Sequence, residues 1–339
     1  MRPPGTPRIH GGPDALGVPR FDFSTNSNAC GPCPQAMAAV QQADATRYPD
    51  PHYAALRAQL ASFHGVVPGR ILLAGSASEC IFRLTAWAAR GGGTQVCVPQ
   101  YAYGDYGQAA QAWGLGVRNI ASDACLVWCC EPSSPLGGPH SGWPIGILDA
   151  GSQSVPIVLD CAYAPLRLSG VPSLSAGQSA RLWQMYSPNK ALGLTGVRAA
   201  YAIAPVGGEL AVQALDSLAH SWPLGAQGVA LLHAWVQPEV QGWIGESLHT
   251  LRRWKTAQID MLSSAAWNCL PSDANFFCAQ PASVDEGVQD LVLTLARLRA
   301  CGVKLRDATS FGLPGHVRLS VQPPQAQDAL RQALQGGRC

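Results

Sequence analysis

The sequence predicts an α/β chain: a mostly parallel sheet with helices packed on both faces. Three observations predict it. Short runs at residues 71–74, 95–98, 125–129, 157–160 and 182–186 are almost wholly apolar, the pattern of strands buried on both sides. Between several of them lie segments whose apolar residues recur at helical spacing, and parallel neighbours need such crossovers. The composition, 47% hydrophobic and only 13% charged over 339 residues, suits a large buried core. That length exceeds the ~250–300 residues at which a single core stops growing, so one large and one smaller domain are expected.

In chain order, a Pro/Gly-rich arm precedes residues 54–63, where apolar positions repeat at helical spacing, and Ile71-Leu-Leu-Ala74 reads as a strand. Ser76-Ala77-Ser78-Glu79 then opens a helical run to Arg90, with hydroxyls where an N-cap sits. Residues 95–98 form the next strand and 106–113 a helix. Further strands follow at 125–129, 157–160 and 182–186, with a strand-like run at 199–204. An amphipathic pattern resumes at 243–262, and residues 303–306 and 316–321 each set an arginine, Arg306 and Arg318, in a strand-like run. The division falls near residue 240. It gives an N-terminal arm with part of the small domain at 1–40, a large domain at 41–240 and a small C-terminal domain at 241–339.

The net charge of +2 is nearly neutral and no lysine/arginine run is present, so neither a nucleic acid backbone nor an anionic membrane is an expected partner. The opening Met1-Arg-Pro-Pro-Gly-Thr-Pro-Arg8 carries no apolar segment, so no secretory leader is expected. No run approaches the ~18 apolar residues of a membrane span. Twelve cysteines are scattered, several of them inside apolar runs, which fits buried thiols in a reducing cytoplasm. Cys30-x-x-Cys33 has no second pair at zinc spacing, and no metal is expected.

Chemistry concentrates around Ser187-Pro-Asn-Lys190-Ala-Leu-Gly193-Leu-Thr-Gly196-Val-Arg198. A lysine in a glycine-punctuated turn can shed water and turn its amine on a carbonyl, as Schiff-base lysines do. Ser187 stands three residues before it and Arg198 eight after, a hydroxyl and a guanidinium suited to phosphate. Together they suit an aldehyde cofactor that also carries a phosphate: pyridoxal 5'-phosphate. Taken singly, Lys190 reads more readily as a solvated loop lysine, and Arg198 as the pair of a surface carboxylate. Gly75-Ser76-Ala77-Ser78 offers backbone N–H groups and hydroxyls to an anion at a helix start, or simply caps that helix. Asp160 ends an otherwise apolar strand, where a carboxylate needs a cation or a capping role. Tyr163, three residues on, either reaches the same ligand or packs.

In their order, Gly75-Ser-Ala-Ser78, Tyr106, Asp160-Cys-Ala-Tyr163, Ser187-x-x-Lys190 and Arg198 resemble the fold type I pyridoxal-phosphate enzymes, aminotransferase class I/II. The resemblance runs from about residue 10 to about residue 322. It implies a large domain whose mostly parallel, seven-stranded sheet lies between helices, plus a smaller α+β C-terminal domain. Lys190 would hold the cofactor's aldehyde and shuttle a proton, Asp160 would keep the ring nitrogen protonated, and Tyr163 would bond the ring's phenolic oxygen. Ser76, Ala77, Ser78, Ser187 and Arg198 would grip the phosphate. Tyr106 would stack on the ring, with Tyr101 as runner-up. Tyr48, in Arg47-Tyr-Pro-Asp50, would reach the cofactor phosphate of a second subunit, which implies a homodimer. Ser134, in Glu131-Pro-Ser-Ser134-Pro-Leu-Gly137, stands where the family has an asparagine.

The resemblance extends to the substrate. Arg318 resembles the arginine that binds the α-carboxylate and Arg306 a second one found in enzymes of phosphorylated substrates, while Asn26 would contact the carboxylate. Within the family the chain is similar to histidinol-phosphate aminotransferase and to the threonine-phosphate decarboxylase of cobalamin biosynthesis. His10-Gly11-Gly12 resembles the decarboxylase, where that histidine helps bind the substrate phosphate. The expectation is therefore a decarboxylase (lyase) acting on L-threonine-O-3-phosphate, with a histidinol-phosphate-type aminotransferase (transferase) as the alternative.

Overall fold

A computed structural model describes residues 10–144, 155–282 and 288–336; the opening Met1–Arg8 of the leader argument lies outside them. Seven strands make the main sheet: β2 (Ile71–Ala74), β3 (Gln95–Cys97), β4 (Gly116–Arg118), β5 (Leu126–Cys130), β6 (Ile157–Asp160), β7 (Trp183–Tyr186) and β8 (Ala200–Ile203). Their spatial order is β2-β8-β7-β6-β5-β3-β4. Only β8 runs against its neighbours; the rest are parallel, as the sequence predicts. Every residue of β2, β5, β6 and β8 is buried, which explains why these strands read as unbroken apolar runs rather than alternating ones.

Helices cover both faces of this sheet. Ala77–Arg90 begins with Ser76, whose hydroxyl accepts the Glu79 N–H at 3.0 Å, an N-cap that satisfies an otherwise orphaned donor. With Gly104–Ala112 it packs on one face around Leu84, Tyr106, Trp128 and Trp183. On the other face a second core joins Leu56, Leu60, Tyr201 and Trp235 to Leu251, Phe277 and Leu319 from the later part of the chain.

The 27-residue helix Pro238–Ser264 leads into a four-stranded antiparallel sheet. Its members are β9 (Trp267–Cys269), β10 (Phe276–Pro281), β12 (Arg306–Asp307) and β13 (Val317–Ser320), in the order β12-β13-β10-β9. A two-stranded parallel sheet pairs β1 (Phe21–Asp22) with β11 (Val303–Lys304). Just before β1 the arm is fastened down. Asp14 takes both Nε and Nη2 of Arg299, at 3.0 and 2.8 Å, and sits 2.9 Å from Lys304 Nζ. Lys304 also donates to the Gly12 carbonyl. Those cations hold the Asp14 carboxyl well below the usual carboxylate range.

Among the described residues ten cysteines are free thiols. Cys301 is disulfide-bonded, a departure from the expectation of thiols throughout. No described helix is long and apolar enough to cross a membrane.

Candidate functional site

Because β2, β3, β5, β6 and β7 are parallel, their C-terminal ends share one edge of the sheet, where ligands of such folds bind. After β2 come Gly75 to Ser78, after β5 Ser134, at the end of β6 Asp160 with Tyr163 beyond, and after β7 Ser187 and Lys190. Arg198 precedes β8, and because β8 is reversed its start lies at the same edge. The opposite direction of one strand therefore brings the arginine to the lysine.

These residues enclose an inner chamber of about 90 Å³ lined by Ser76, Ala77, Ser78, Ser134, Asp160 and Tyr163, and also by Ser187, Lys190 and Arg198. Lys190 Nζ donates to Ser187 Oγ at 3.1 Å and lies 5.5 Å from the centroid of the Tyr163 ring. Asp160 is buried. Its Oδ1 accepts the Ala162 N–H at 2.9 Å and its Oδ2 the Tyr106 hydroxyl at 2.7 Å. Burial pushes its carboxyl above the ordinary carboxylate range, against the Tyr106 hydrogen bond, the Lys190 charge and the Ala162 N–H, which pull it down. A buried carboxylate so placed asks for a cation inside the chamber. Asn189, also in the wall, has a buried Oδ1 with no hydrogen-bond partner in the protein.

Tyr103, Tyr163 and Lys190 also line an outer chamber of about 560 Å³ with His10, Asn26, Arg306 and Arg318. Arg306 and Arg318 are cross-strand partners on β12 and β13 and both are buried. Their guanidiniums sit 4.7 and 5.1 Å from the Phe311 ring centroid. Arg306 donates to the Asp307 carbonyl and to Ser310 Oγ, at 2.6 and 2.7 Å, and Arg318 to the Ser24 carbonyl at 3.1 Å. Like charges opposed across a sheet are unfavourable; burial first, and the Arg318 charge second, bring the Arg306 pKa down to about 10. Two guanidiniums so close suit a planar or tetrahedral anion, which arginine grips through paired hydrogen bonds. Asn26, buried, donates to the Tyr163 hydroxyl at 3.3 Å, while its Oδ1 has no partner in the protein. His10 is exposed at the rim, its ring 6.4 Å from that of Tyr103. Gly11 must be glycine: a Cβ there would lie 2.1 Å from the Ser24 carbonyl oxygen.

The stacking assignment needs correction. Tyr106 is fully buried and stacks on Trp128 at 4.7 Å, away from both chambers, with its hydroxyl on Asp160. The helix begins at Gly104, not at residue 106, so Tyr106 lies within its first turn and faces the sheet. Tyr101 packs against the cluster of Cys278, Ala308, Phe311 and Leu313. Of the three tyrosines in this stretch, the one that borders both chambers is Tyr103, the residue before that helix, whose hydroxyl meets Ser78 Oγ at 3.3 Å. The residues Gly104-Asp105, a small residue and an acid opening a helix, carried the signal. Tyr48 lies in neither chamber: it is 77% exposed and stacked on Trp222 at 4.3 Å. Asn189, Ser310 and Phe311 escaped the sequence reading because nothing local marks them.

The residues present fit pyridoxal phosphate, with an amine at the boundary, a buried carboxylate, and hydroxyls and a guanidinium in one small chamber. Among the described residues no group of His, Cys, Asp or Glu is placed to hold a metal ion.

The aminotransferase class I and II family profile matches residues 19–128 and 122–335. A histidinol-phosphate aminotransferase of Jannaschia sp. (strain CCS1) is 27% identical over 343 residues, covering 95% of this chain and 91% of that protein. The crystal structure of histidinol-phosphate aminotransferase from Sinorhizobium meliloti, in complex with pyridoxal-5'-phosphate, superposes with a TM-score of 0.81 at 20% identity, over 98% of this chain and 96% of that one. L-threonine-O-3-phosphate decarboxylase from Porphyromonas gingivalis superposes with a TM-score of 0.75 at 19% identity, over 93% and 98%. At those identities the superpositions speak to the fold, and the sequence relatives favour the amino-transfer alternative over the decarboxylase. With the profile matched over nearly the whole described chain, this protein belongs to the class I and II aminotransferases.

Proposed function

We propose that the protein is a pyridoxal-phosphate enzyme acting on an amine or amino acid that carries a phosphate, and that it transfers the amino group in the manner of a histidinol-phosphate aminotransferase. The observation that carries this reading is the position of Lys190, whose amine borders both chambers, with buried Asp160 on the inner side and the Arg306/Arg318 pair on the outer. Pyridoxal 5'-phosphate is the cofactor; Lys190 would hold it through its aldehyde, and when bound it would supply an electron sink for chemistry at the substrate's Cα. The relatives named above support amino transfer as the outcome.

The chain's own residues divide the work. Asp160 would hold the proton on the ring nitrogen, and Tyr163 with Ser134 would serve the ring oxygen. Ser76, Ala77, Ser78, Ser187 and Arg198 would hold the phosphate, and Tyr103 would cover the ring. Arg318 and Asn26 bind the substrate carboxylate or its equivalent, Arg306 and His10 its phosphate. Lys190 would move the proton at the substrate's Cα. The cofactor-side residues fall within 41–240 and the substrate-side ones outside it, which supports a large cofactor domain followed by a small one. Tyr48, solvent-facing and remote from its own chambers, supports a homodimer in which each copy completes the other's phosphate site. The setting is the cytoplasm.

A second reading, decarboxylation of a phosphorylated amino acid such as threonine phosphate, is favoured by one observation: His10 stands at the outer rim beside Tyr103. How Arg318 and Asn26 would orient the substrate carboxylate separates the two outcomes. The test incubates the loaded enzyme with histidinol phosphate plus 2-oxoglutarate, and separately with threonine phosphate. Glutamate formation is expected; CO2 release without a keto acid selects the second reading, and neither product refutes both.

A further inference from the structure

The hydroxyl of Tyr106 has a chemical task that packing does not explain. The ring is fully buried and stacked on Trp128 with an interplanar angle of 8°, so a phenylalanine would fill the same space. The hydroxyl instead points at Asp160 Oδ2, 2.7 Å away. Of its neighbours, the Cys130 thiol already donates to the Pro132 carbonyl at 3.3 Å. The phenolic proton is therefore directed to the carboxylate, whose other oxygen takes the Ala162 N–H. One donor on each oxygen fixes the plane of the carboxylate, and both donors favour its ionised form.

We infer that Tyr106 is a positioning residue for the reaction: by donating to Asp160 it holds that carboxylate ionised and oriented, so that the proton they share with the cofactor stays on the ring nitrogen. The inference rests on the role of Asp160 given above. A hydrogen bond to a charged group is worth about ten- to hundred-fold in the equilibrium it favours. Without it the proton shifts toward Asp160 and the ring becomes a weaker electron sink, while the outer chamber that binds substrate is untouched.

The experiment loads wild-type enzyme, Tyr106→Phe and Asp160→Asn with pyridoxal phosphate labelled with nitrogen-15 in the ring, and records the ring-nitrogen signal beside steady-state kinetics. Wild type is expected to show the protonated-ring signal, with Tyr106→Phe displaced toward that of Asp160→Asn. The kcat of Tyr106→Phe is expected to fall about ten- to hundred-fold with little change in KM. A wild-type signal and wild-type kcat in Tyr106→Phe overturn the inference and leave the cofactor reading standing. If wild type binds no labelled cofactor, or if Asp160→Asn matches wild type, the Asp160 reading falls and this inference with it. The melting temperature of the cofactor-free variants is measured in parallel; a Tyr106→Phe loss of kcat that tracks unfolding, with the ring signal unmoved, also overturns it.

Discussion

His64 is expected to make the fold acid-sensitive through a relay behind the lysine turn. It ends the helix Ala54–His64, and its Nε2 lies 2.8 Å from the Tyr201 hydroxyl, which accepts the Trp235 indole N–H at 3.0 Å. The Tyr201 proton is thus free to go to His64, which must be neutral at Nε2 to accept it. The helix C-terminus favours a charged histidine by about 0.3–1 kcal/mol, but burial wins and brings the pKa from 6.5 down to about 4. A folded-state pKa below the unfolded one means that its stability contribution is whole above pH 6.5. It drains as pH falls, at about 1.4 kcal/mol per unit, until about pH 4. The loss is at most about 3 kcal/mol, a large part of the ~5–15 kcal/mol that holds a domain together. His64→Gln keeps an acceptor for Tyr201 and removes the titration. Urea unfolding from pH 7 to 4 should show the variant losing about 2–3 kcal/mol less than wild type across that window. Parallel losses in the two proteins, or a His64 that titrates near pH 6.5 by NMR in the folded protein, would refute the reasoning.

Other outcomes are equally specific. Lys190→Ala should lose the yellow colour and borohydride fixation of the cofactor, with turnover at background; unchanged fixation would remove Lys190 from its role. Arg318→Leu takes a buried guanidinium from an anionic partner and should weaken substrate binding by about 2–5 kcal/mol, seen as a large rise in KM with the cofactor still bound. Gly11→Ala must displace the backbone at Ser24 and should raise KM about tenfold, an effect of about 1.4 kcal/mol, without altering cofactor affinity. Mixing Lys190→Ala with Tyr48→Ala subunits should restore roughly a quarter of wild-type activity, because half the dimers then carry one intact site; no recovery would count against shared sites.

The sheet was legible because strands buried on both faces advertise themselves, as in Ile71–Ala74 and Ile157–Asp160. β4, Gly116–Arg118, was not, since its two end residues are exposed and its sequence has no apolar run. The helix Pro34–Gln41 carried its proline at the first position but sits in an alanine-rich stretch with little periodicity. That Ser76 to Ser78, Asp160, Ser187 and Lys190 gather at one edge was readable because strand ends deliver their next residues there, a local rule. Tyr103 was not, since Tyr101, Tyr103 and Tyr106 look alike in sequence and only the helix start at Gly104 decides which ring turns toward the chambers. Arg306 and Arg318 could be singled out by type, but their pairing across β12 and β13 is a fact of register that twelve residues of separation do not encode.

The parallel pairing of Phe21–Asp22 with Val303–Lys304 imposes an order of assembly on the growing polypeptide. Everything from Gly75 to Arg198 can emerge from the ribosome and collapse around Lys190 before the partner of β1 has been synthesised. The half of the site holding Asn26, Arg306 and Arg318 closes only when the last tenth or so of the chain arrives. A nascent chain therefore gathers the strand-end residues around Lys190 well before it can set Arg306 beside Arg318.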